Sequence, residues 1–151
     1  MNMEKYYIAY GSNLNFKQMT TRCPTAMIAG TATLEDWTLL FKGSKTGSYL
    51  TIEPQTGCQV PVAVWKITEI DERQLDIYEG FPSFYYKKQM TIKLASGRKI
   101  KAFAYIMREN RPLGIPSNEY VKTCLEGYRF FGFEKSIIDK ALKETERRMA
   151  Q

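Results

Sequence analysis

Short runs rich in apolar, aromatic and β-branched residues, bounded by turn residues, dominate the chain from Tyr6 to Met107, with helical spacing from Thr68 and again after Ser117. Tyr6-Tyr7-Ile8-Ala9 is rich in aromatic and β-branched residues and predicts a first strand. Asn15 to Met19 begins a short helix that Cys23-Pro24 ends. Ala26 to Leu34 and Thr38 to Phe41 read as two strands around Glu35-Asp36-Trp37, and Tyr49 to Ile52 and Val60 to Trp65 as a second pair across Gln55-Thr56-Gly57. Between the pairs, Gly43 to Gly47 reads as a flexible polar loop. The period changes at Thr68, which can cap a helix with Asp71, and Ile70, Leu75, Ile77 and Tyr78 supply its apolar positions until Gly80 and Pro82 stop it. Phe84 to Leu94 and Lys99 to Met107 form two long strands joined by a turn at Ala95-Ser96-Gly97-Arg98. After a loop, Ser117 caps a helix with Tyr120, Val121, Cys124, Leu125 and Tyr128 on one stripe. Gly132 separates it from a last helix containing Ile137, Ile138, Ala141 and Leu142, and Lys143 to Gln151 reads as an exposed charged end. Roughly seven hairpin-linked strands with inserted and appended helices predict an α+β fold: a small mixed, mainly antiparallel β-barrel with flanking helices.

Composition narrows the class. A chain of 151 residues with 44% hydrophobic and 25% charged content suits one domain, 1–151, with a proper core. No apolar run is long enough to span a bilayer and the start is too polar for a signal peptide, so a cytoplasmic protein with no membrane partner is expected. Cys23, Cys58 and Cys124 are odd in number and widely spaced, which suggests neither a disulfide framework nor a zinc site but idle thiols. The net charge of +6 favours acidic partners in general, yet the basic residues are scattered along strand edges such as Lys87-Lys88 and Arg98 to Lys101. No nucleic-acid motif accompanies them, and no nucleic-acid partner is expected. Histidine is absent, which excludes Ser-His-Asp and Cys-His catalysis and any metal site with His ligands. If the chain is an enzyme, its base must be a carboxylate, Lys, Tyr or thiolate. Neither metal nor cofactor is expected.

Two stretches carry candidate chemistry. Tyr10-Gly11-Ser12-Asn13-Leu14 is a tight strand-to-helix turn in which Gly11 permits close backbone approach and Ser12 and Asn13 can bond their own main chain. Its clustered N–H groups suit a carboxylate or a developing oxyanion, although the same residues also fit an ordinary turn ending a strand. Glu79, in Asp76-Ile77-Tyr78-Glu79-Gly80-Phe81-Pro82, ends a helix among apolar neighbours. The helix dipole and apolar walls both disfavour its ionised form and raise its pKa, as a general base that must also return its proton requires. An exposed glutamate near a helix end is the alternative reading. Among the 10 tyrosines, Tyr85 and Tyr86 point to opposite faces, so one of the two can line a cavity, and Lys87 shares a face with Tyr85.

Together, Tyr10 to Leu14 after the first strand, Glu79-Gly80-Phe81-Pro82 with Tyr85 and Lys87 beyond it, Ala104-Tyr105 ending a strand and Pro116 to Tyr120 opening a helix resemble the γ-glutamylcyclotransferase-like family. The resemblance runs from about residue 6 to about residue 132, and its central motifs are the YGSNL loop and a glutamate before a glycine. It implies a small mixed barrel in which loop and glutamate face one another across a cavity. It further implies cleavage of a γ-glutamyl amide to 5-oxoproline and a free amine. The substrate's own α-amine is then the nucleophile, and Glu79 the catalytic base and acid. By the same resemblance, Tyr10, Gly11, Ser12, Asn13 and Leu14 hold the glutamyl head, and Tyr85, Tyr105 and Tyr120 border it. A non-catalytic protein that keeps the pocket for a carboxylate metabolite is the alternative from another class.

Overall fold

The computed structural model describes residues 4–151. In chain order it contains β1 (Lys5–Ala9), a 3-10 turn (Ser12–Leu14), α1 (Phe16–Arg22), β2 (Met27–Ser44), β3 (Gly47–Ile67), α2 (Glu69–Glu79), β4 (Tyr85–Lys93), β5 (Lys99–Met107), α3 (Asn118–Phe131) and α4 (Ser136–Met149). The strands form one sheet in the order β2-β3-β1-β5-β4. β1 is central, antiparallel to β3 and parallel to β5 through the Tyr7–Phe103 pairing. The α+β, mainly antiparallel architecture is therefore as expected.

Several details differ from the sequence reading. The two expected strand pairs are one long β2–β3 hairpin, which turns between Ser44 and Gly47. Glu35 pairs with Gln59 but Trp37 pairs with Pro54, so the supposed turns at Asp36 and at Gln55 to Gly57 are opposite sides of one bulge. There Asp36 adopts φ 64° and its carboxylate accepts a bond from the Gly57 N–H at 3.0 Å. Nor does the sheet close into a barrel. Its edge strands meet at the Ala32–Leu94 bridge and the adjacent bond from Ala95 N–H to the Thr31 carbonyl, and no ladder continues from there. β2 bends at its bulges and β4 is half its length, so the two edges cannot run side by side for long. Finally, Lys143 to Gln151 is exposed at most positions, as expected, but it is helical as far as Met149. α4 runs to Met149 and buries Thr145, whose hydroxyl accepts from the Phe41 N–H at 3.1 Å and donates to the Ala141 carbonyl at 2.8 Å.

The helices are bounded as their cap residues dictate. Thr68 and Asp71 form a reciprocal capping box at the start of α2, and Gly80 ends that helix in the left-handed region at φ 65°. Ser117 caps α3 by accepting from the Tyr120 N–H, and Gly132 ends it at φ 76°. α2, however, does not bury the apolar stripe expected of it. Ile70 and Ile77 are exposed, and the buried face consists of Asp71, Glu72 and Leu75.

The core sits between the concave sheet and α3, and it fixes the turn after β1. Leu14 is fully buried, the indole N–H of Trp65 donates to the Asn13 carbonyl at 3.1 Å, and the Tyr128 hydroxyl donates to the Tyr10 carbonyl at 3.3 Å. α3 approaches so closely at Gly127 that a Cβ there would lie 2.5 Å from the Leu14 backbone. The turn is thereby clamped from its core side, with its other side left toward the cavity.

Candidate active site

The inner face of α2 brings four carboxylates toward the sheet at helical spacing: Asp71, Glu72, Asp76 and Glu79. Three of them are partnered, two by cations. Asp71 accepts from the Thr68 N–H at 3.1 Å and the Thr25 hydroxyl at 2.7 Å. Glu72 is held between Lys5 at 2.9 Å and Lys87 at 2.7 Å. Asp76 pairs with Lys87 at 2.9 Å and accepts from the Tyr105 hydroxyl at 2.6 Å. Glu79 alone of the four has no hydrogen bond or ion pair among the described residues. Lys87 is thus committed to α2 and lies over the Phe81 ring, where it does not line the cavity.

Glu79 reaches a cavity in two connected parts. The inner chamber, about 30 Å³, is floored by Gly11, Ser12 and Asn13 and walled by Tyr10, Tyr85, Tyr105 and Tyr120. The outer chamber, about 380 Å³, shares Ser12, Glu79, Tyr85 and Tyr120 with it and opens toward solvent. Glu79 as a residue is partly buried, and the protein packed around its carboxyl pushes its pKa up to about 8, an effect that the Arg22 guanidinium partly offsets.

The phenols around it are fixed. Tyr10 donates to the Tyr105 carbonyl at 2.5 Å, Tyr85 donates to the Leu50 carbonyl at 2.9 Å, and Tyr120 accepts from the Leu50 N–H at 3.1 Å. Burial first, and further down the charge of Glu79, hold the hydroxyls of Tyr7, Tyr10, Tyr85 and Tyr120 well above their ordinary pKa. They therefore remain neutral at any working pH. In the turn, the N–H groups of Leu14 and Asn15 close on the carbonyls of Gly11 and Ser12. Those of Ser12 and Asn13 stand at the open start of the 3-10 turn, which has no carbonyl to offer them. Gly11 has an ordinary negative φ, and its lack of a side chain matters for space: a Cβ would lie 3.2 Å from the Tyr120 hydroxyl.

The arrangement combines a carboxyl titrating near neutrality, neutral hydroxyls and backbone donors in a confined chamber. Among the described residues no group of His, Cys, Asp or Glu could hold a metal ion, and Cys23 and Cys124 are buried with their thiols pushed up to about 12. Proton transfer without a protein nucleophile is the chemistry such a site can perform. A larger cleft, about 1020 Å³, lies between α4 and the β2–β3 hairpin and shares no residue with this cavity. There Glu144 is satisfied by Arg147 and Arg148 at 2.6 and 2.8 Å.

Comparison with known proteins identifies the family. The family model described as "Gamma-glutamyl cyclotransferase, AIG2-like" matches residues 7–122. The chain belongs to this family. Human gamma-glutamylcyclotransferase is 33% identical over 142 residues, covering 89% of this chain and 75% of the human one. The Bos taurus protein of the same name is 33% identical over 129 residues, with 80% and 68% covered. A solved structure of a gamma-glutamyl cyclotransferase superposes with a TM-score of 0.82 at 28% identity, covering 92% of this chain and 86% of that one. The chain is accordingly an enzyme of the cyclotransferase type, which the binding-only alternative does not explain.

Of the residues the sequence nominates, Tyr10, Gly11, Ser12, Asn13, Tyr85, Tyr105, Tyr120 and Glu79 surround this cavity, whereas Leu14 turns into the core. Three others were not foreseen. Arg22 donates to the Asn13 side chain at 2.7 Å and to Gln18 at 2.8 Å, and its guanidinium lies 3.5 Å from the Tyr78 ring centroid. Tyr78 in turn reaches Ser12 with a hydroxyl contact of 3.2 Å, and Tyr7 accepts from the Asn13 amide at 2.8 Å. A cation in the last turn of a helix reads as a partner of the helix dipole, so only its approach in space reveals the second role.

Proposed function

We propose that this enzyme cleaves a γ-glutamyl amide by intramolecular attack of the substrate's α-amine on its γ-carbonyl, releasing 5-oxoproline and a free amine. The observation that carries the reading is the single unpaired carboxyl on the inner face of α2, placed across a small chamber from the Gly11 to Asn13 backbone. Glu79, ionised, takes one proton from the α-ammonium group. The freed amine forms the new C–N bond and closes a five-membered ring. Glu79 then protonates the leaving nitrogen as the old C–N bond breaks, and the ring nitrogen's surplus proton follows the same route to the departing amine. Nothing else is consumed.

The residues divide the remaining work. Backbone N–H groups of Ser12 and Asn13 receive negative charge from the glutamyl head, and the tyrosines that wall the two chambers, Tyr10, Tyr85, Tyr105 and Tyr120, hold it folded for attack. Orientation of this kind is worth roughly 7–11 kcal/mol in intramolecular reactions. The substrate's ammonium also answers the raised pKa of Glu79, because a cation entering beside the carboxyl favours its ionised form. Cys23, Cys58 and Cys124 are all unpaired, which favours a reducing compartment, and we place the reaction in the cytoplasm. Incubating the pure protein with a panel of γ-glutamyl amides and following 5-oxoproline by mass spectrometry tests the proposal. A folded protein that releases none from any member of the panel refutes it.

A further inference from the structure

The inner chamber, about 30 Å³, has room for little more than one water-sized group, so the glutamyl head extends past Glu79 into the outer chamber and fills part of it. Beyond Glu79 the outer chamber of about 380 Å³ is walled by Tyr49, Ile77, Tyr78 and Phe84, with the hydroxyls of Ser44 and Thr46 at the β2–β3 hairpin tip. Those two hydroxyls bond each other at 2.8 Å. Tyr49 packs edge-on against Tyr120 and Phe84, with ring centroids 5.2 and 6.4 Å apart, so the aromatic wall is continuous from the inner chamber to the mouth. Ile77 is 77% exposed, although a large aliphatic residue on a helix ordinarily seeks the core. It contributes nothing to the core and instead lines this chamber. Apart from Glu79, no Asp, Glu, Lys or Arg among the described residues lines the space. Two guanidinium groups lie over lining rings without themselves lining the chamber: Arg22, bonded to Asn13 and Gln18, over Tyr78 at 3.5 Å, and Arg111 over Phe84 at 4.5 Å.

We propose that this outer chamber is an apolar subsite for the departing amine, and that it selects γ-glutamyl amides of hydrophobic, aromatic-sized amines that carry no carboxylate. The assignment rests on the cyclotransferase reading and specifies its substrate class. An aromatic or branched alkyl group buries apolar surface against Tyr49, Phe84 and Ile77. A leaving group with its own carboxylate, as in a γ-glutamyl dipeptide, brings an unpaired anion against an uncharged wall and close to ionised Glu79. Both terms act on the same chamber and in the same direction.

A matched set of substrates isolates each term: γ-glutamylphenethylamide, γ-glutamylphenylalanine, which differs from it by one carboxylate, and γ-glutamylmethylamide, which lacks the apolar group. The expected kcat/KM for the phenethylamide is at least about tenfold above each of the other two. Ile77→Lys, a change at an exposed helix position, places a cation on the chamber wall and is expected to move the phenylalanine-to-phenethylamide ratio toward the carboxylate substrate by about tenfold. Equal or better turnover of γ-glutamylphenylalanine by the unaltered enzyme overturns the proposal, as does a ratio that Ile77→Lys leaves unchanged. In either case continued release of 5-oxoproline leaves the cyclotransferase reading standing. Absence of 5-oxoproline from all three substrates refutes that reading itself, and the subsite with it.

Discussion

Glu79→Gln keeps the size and hydrogen-bonding capacity of the side chain and removes its ability to take a proton. Loss of a general base costs on the order of 10²–10⁴ in rate, and kcat should fall by that factor while KM changes little. The raised pKa adds a pH signature. With the carboxyl titrating at about 8, about one free enzyme in ten is ionised at pH 7. Wild-type kcat/KM should therefore climb about tenfold per pH unit below 8 and level off above it, and the variant's residual rate should lack this limb.

The same shift has a consequence for stability, of opposite sign to that of an ion-paired carboxylate. Between the ordinary range near 4.5 and about 8, folded Glu79 holds a proton that the unfolded chain has released, so folding stability falls as pH rises through that window. At about 1.4 kcal/mol per unit the cost reaches a few kcal/mol at most by pH 8 to 9, reduced by the part of Glu79 that water can reach. Glu79→Gln removes that slope. Thermal unfolding should show the variant close to wild type at pH 4 and more stable at pH 9. A folded variant that makes 5-oxoproline at the wild-type rate ends the catalytic assignment. One that is no more stable than wild type at pH 9 ends the argument from burial.

The Arg22 charge lowers the pKa of Glu79, so Arg22→Met should move the acid limb of the kcat/KM profile to higher pH; a limb that stays or moves down contradicts that electrostatic role. Gly11→Val puts carbon into the gap before the Tyr120 hydroxyl and should weaken calorimetric binding of a γ-glutamyl ligand at least about tenfold with a smaller effect on Tm, and unchanged affinity would remove the turn from the binding site. Gly127→Ala forces α3 away from the Leu14 backbone and should cost about 1–3 kcal/mol in denaturant unfolding; a neutral result would mean that helix and turn are not in tight register.

How far the sequence discloses this molecule depends on whether a feature is local. Thr68 with Asp71, Ser117, Gly80 and Gly132 act within a few residues of themselves, and the helix ends they mark are where the sequence puts them. The β2–β3 hairpin is different. Asp36 and Gln55 to Gly57 look like turns because each breaks a strand, but only pairing shows that they are the two sides of one bulge. Alternation names strands without naming partners. The candidate site divides the same way: the Tyr10 to Asn13 turn and Glu79 carry signals in their own neighbourhoods, whereas Tyr7 and Tyr78 reach the cavity, and Arg22 the residues that line it, only through tertiary approach. Leu14 belongs to the motif and not to the cavity, since its side chain anchors the turn to the core.

α2 shows why the strongest functional signal lay where the periodicity argument failed. Its apolar residues predict a buried stripe at Ile70, Leu75, Ile77 and Tyr78, yet only Leu75 of these is buried, and the inward face carries carboxylates instead. A helix that turns acids inward and leaves isoleucines in water sacrifices hydrophobic burial, and such a local violation persists only where something else requires it. Asp71 is required by the cap, while Glu72 and Asp76 are required by Lys87, which ties α2 to β4. These three explain how the helix tolerates its polar face but give no reason for Glu79, which has no partner among the described residues and whose burial opposes its charge. The exposed Ile77 is likewise left over by the fold. Both unexplained residues line one cavity, the acid at its inner end and the isoleucine in its outer chamber, which is the arrangement a substrate with a cationic head and an apolar leaving group would complete.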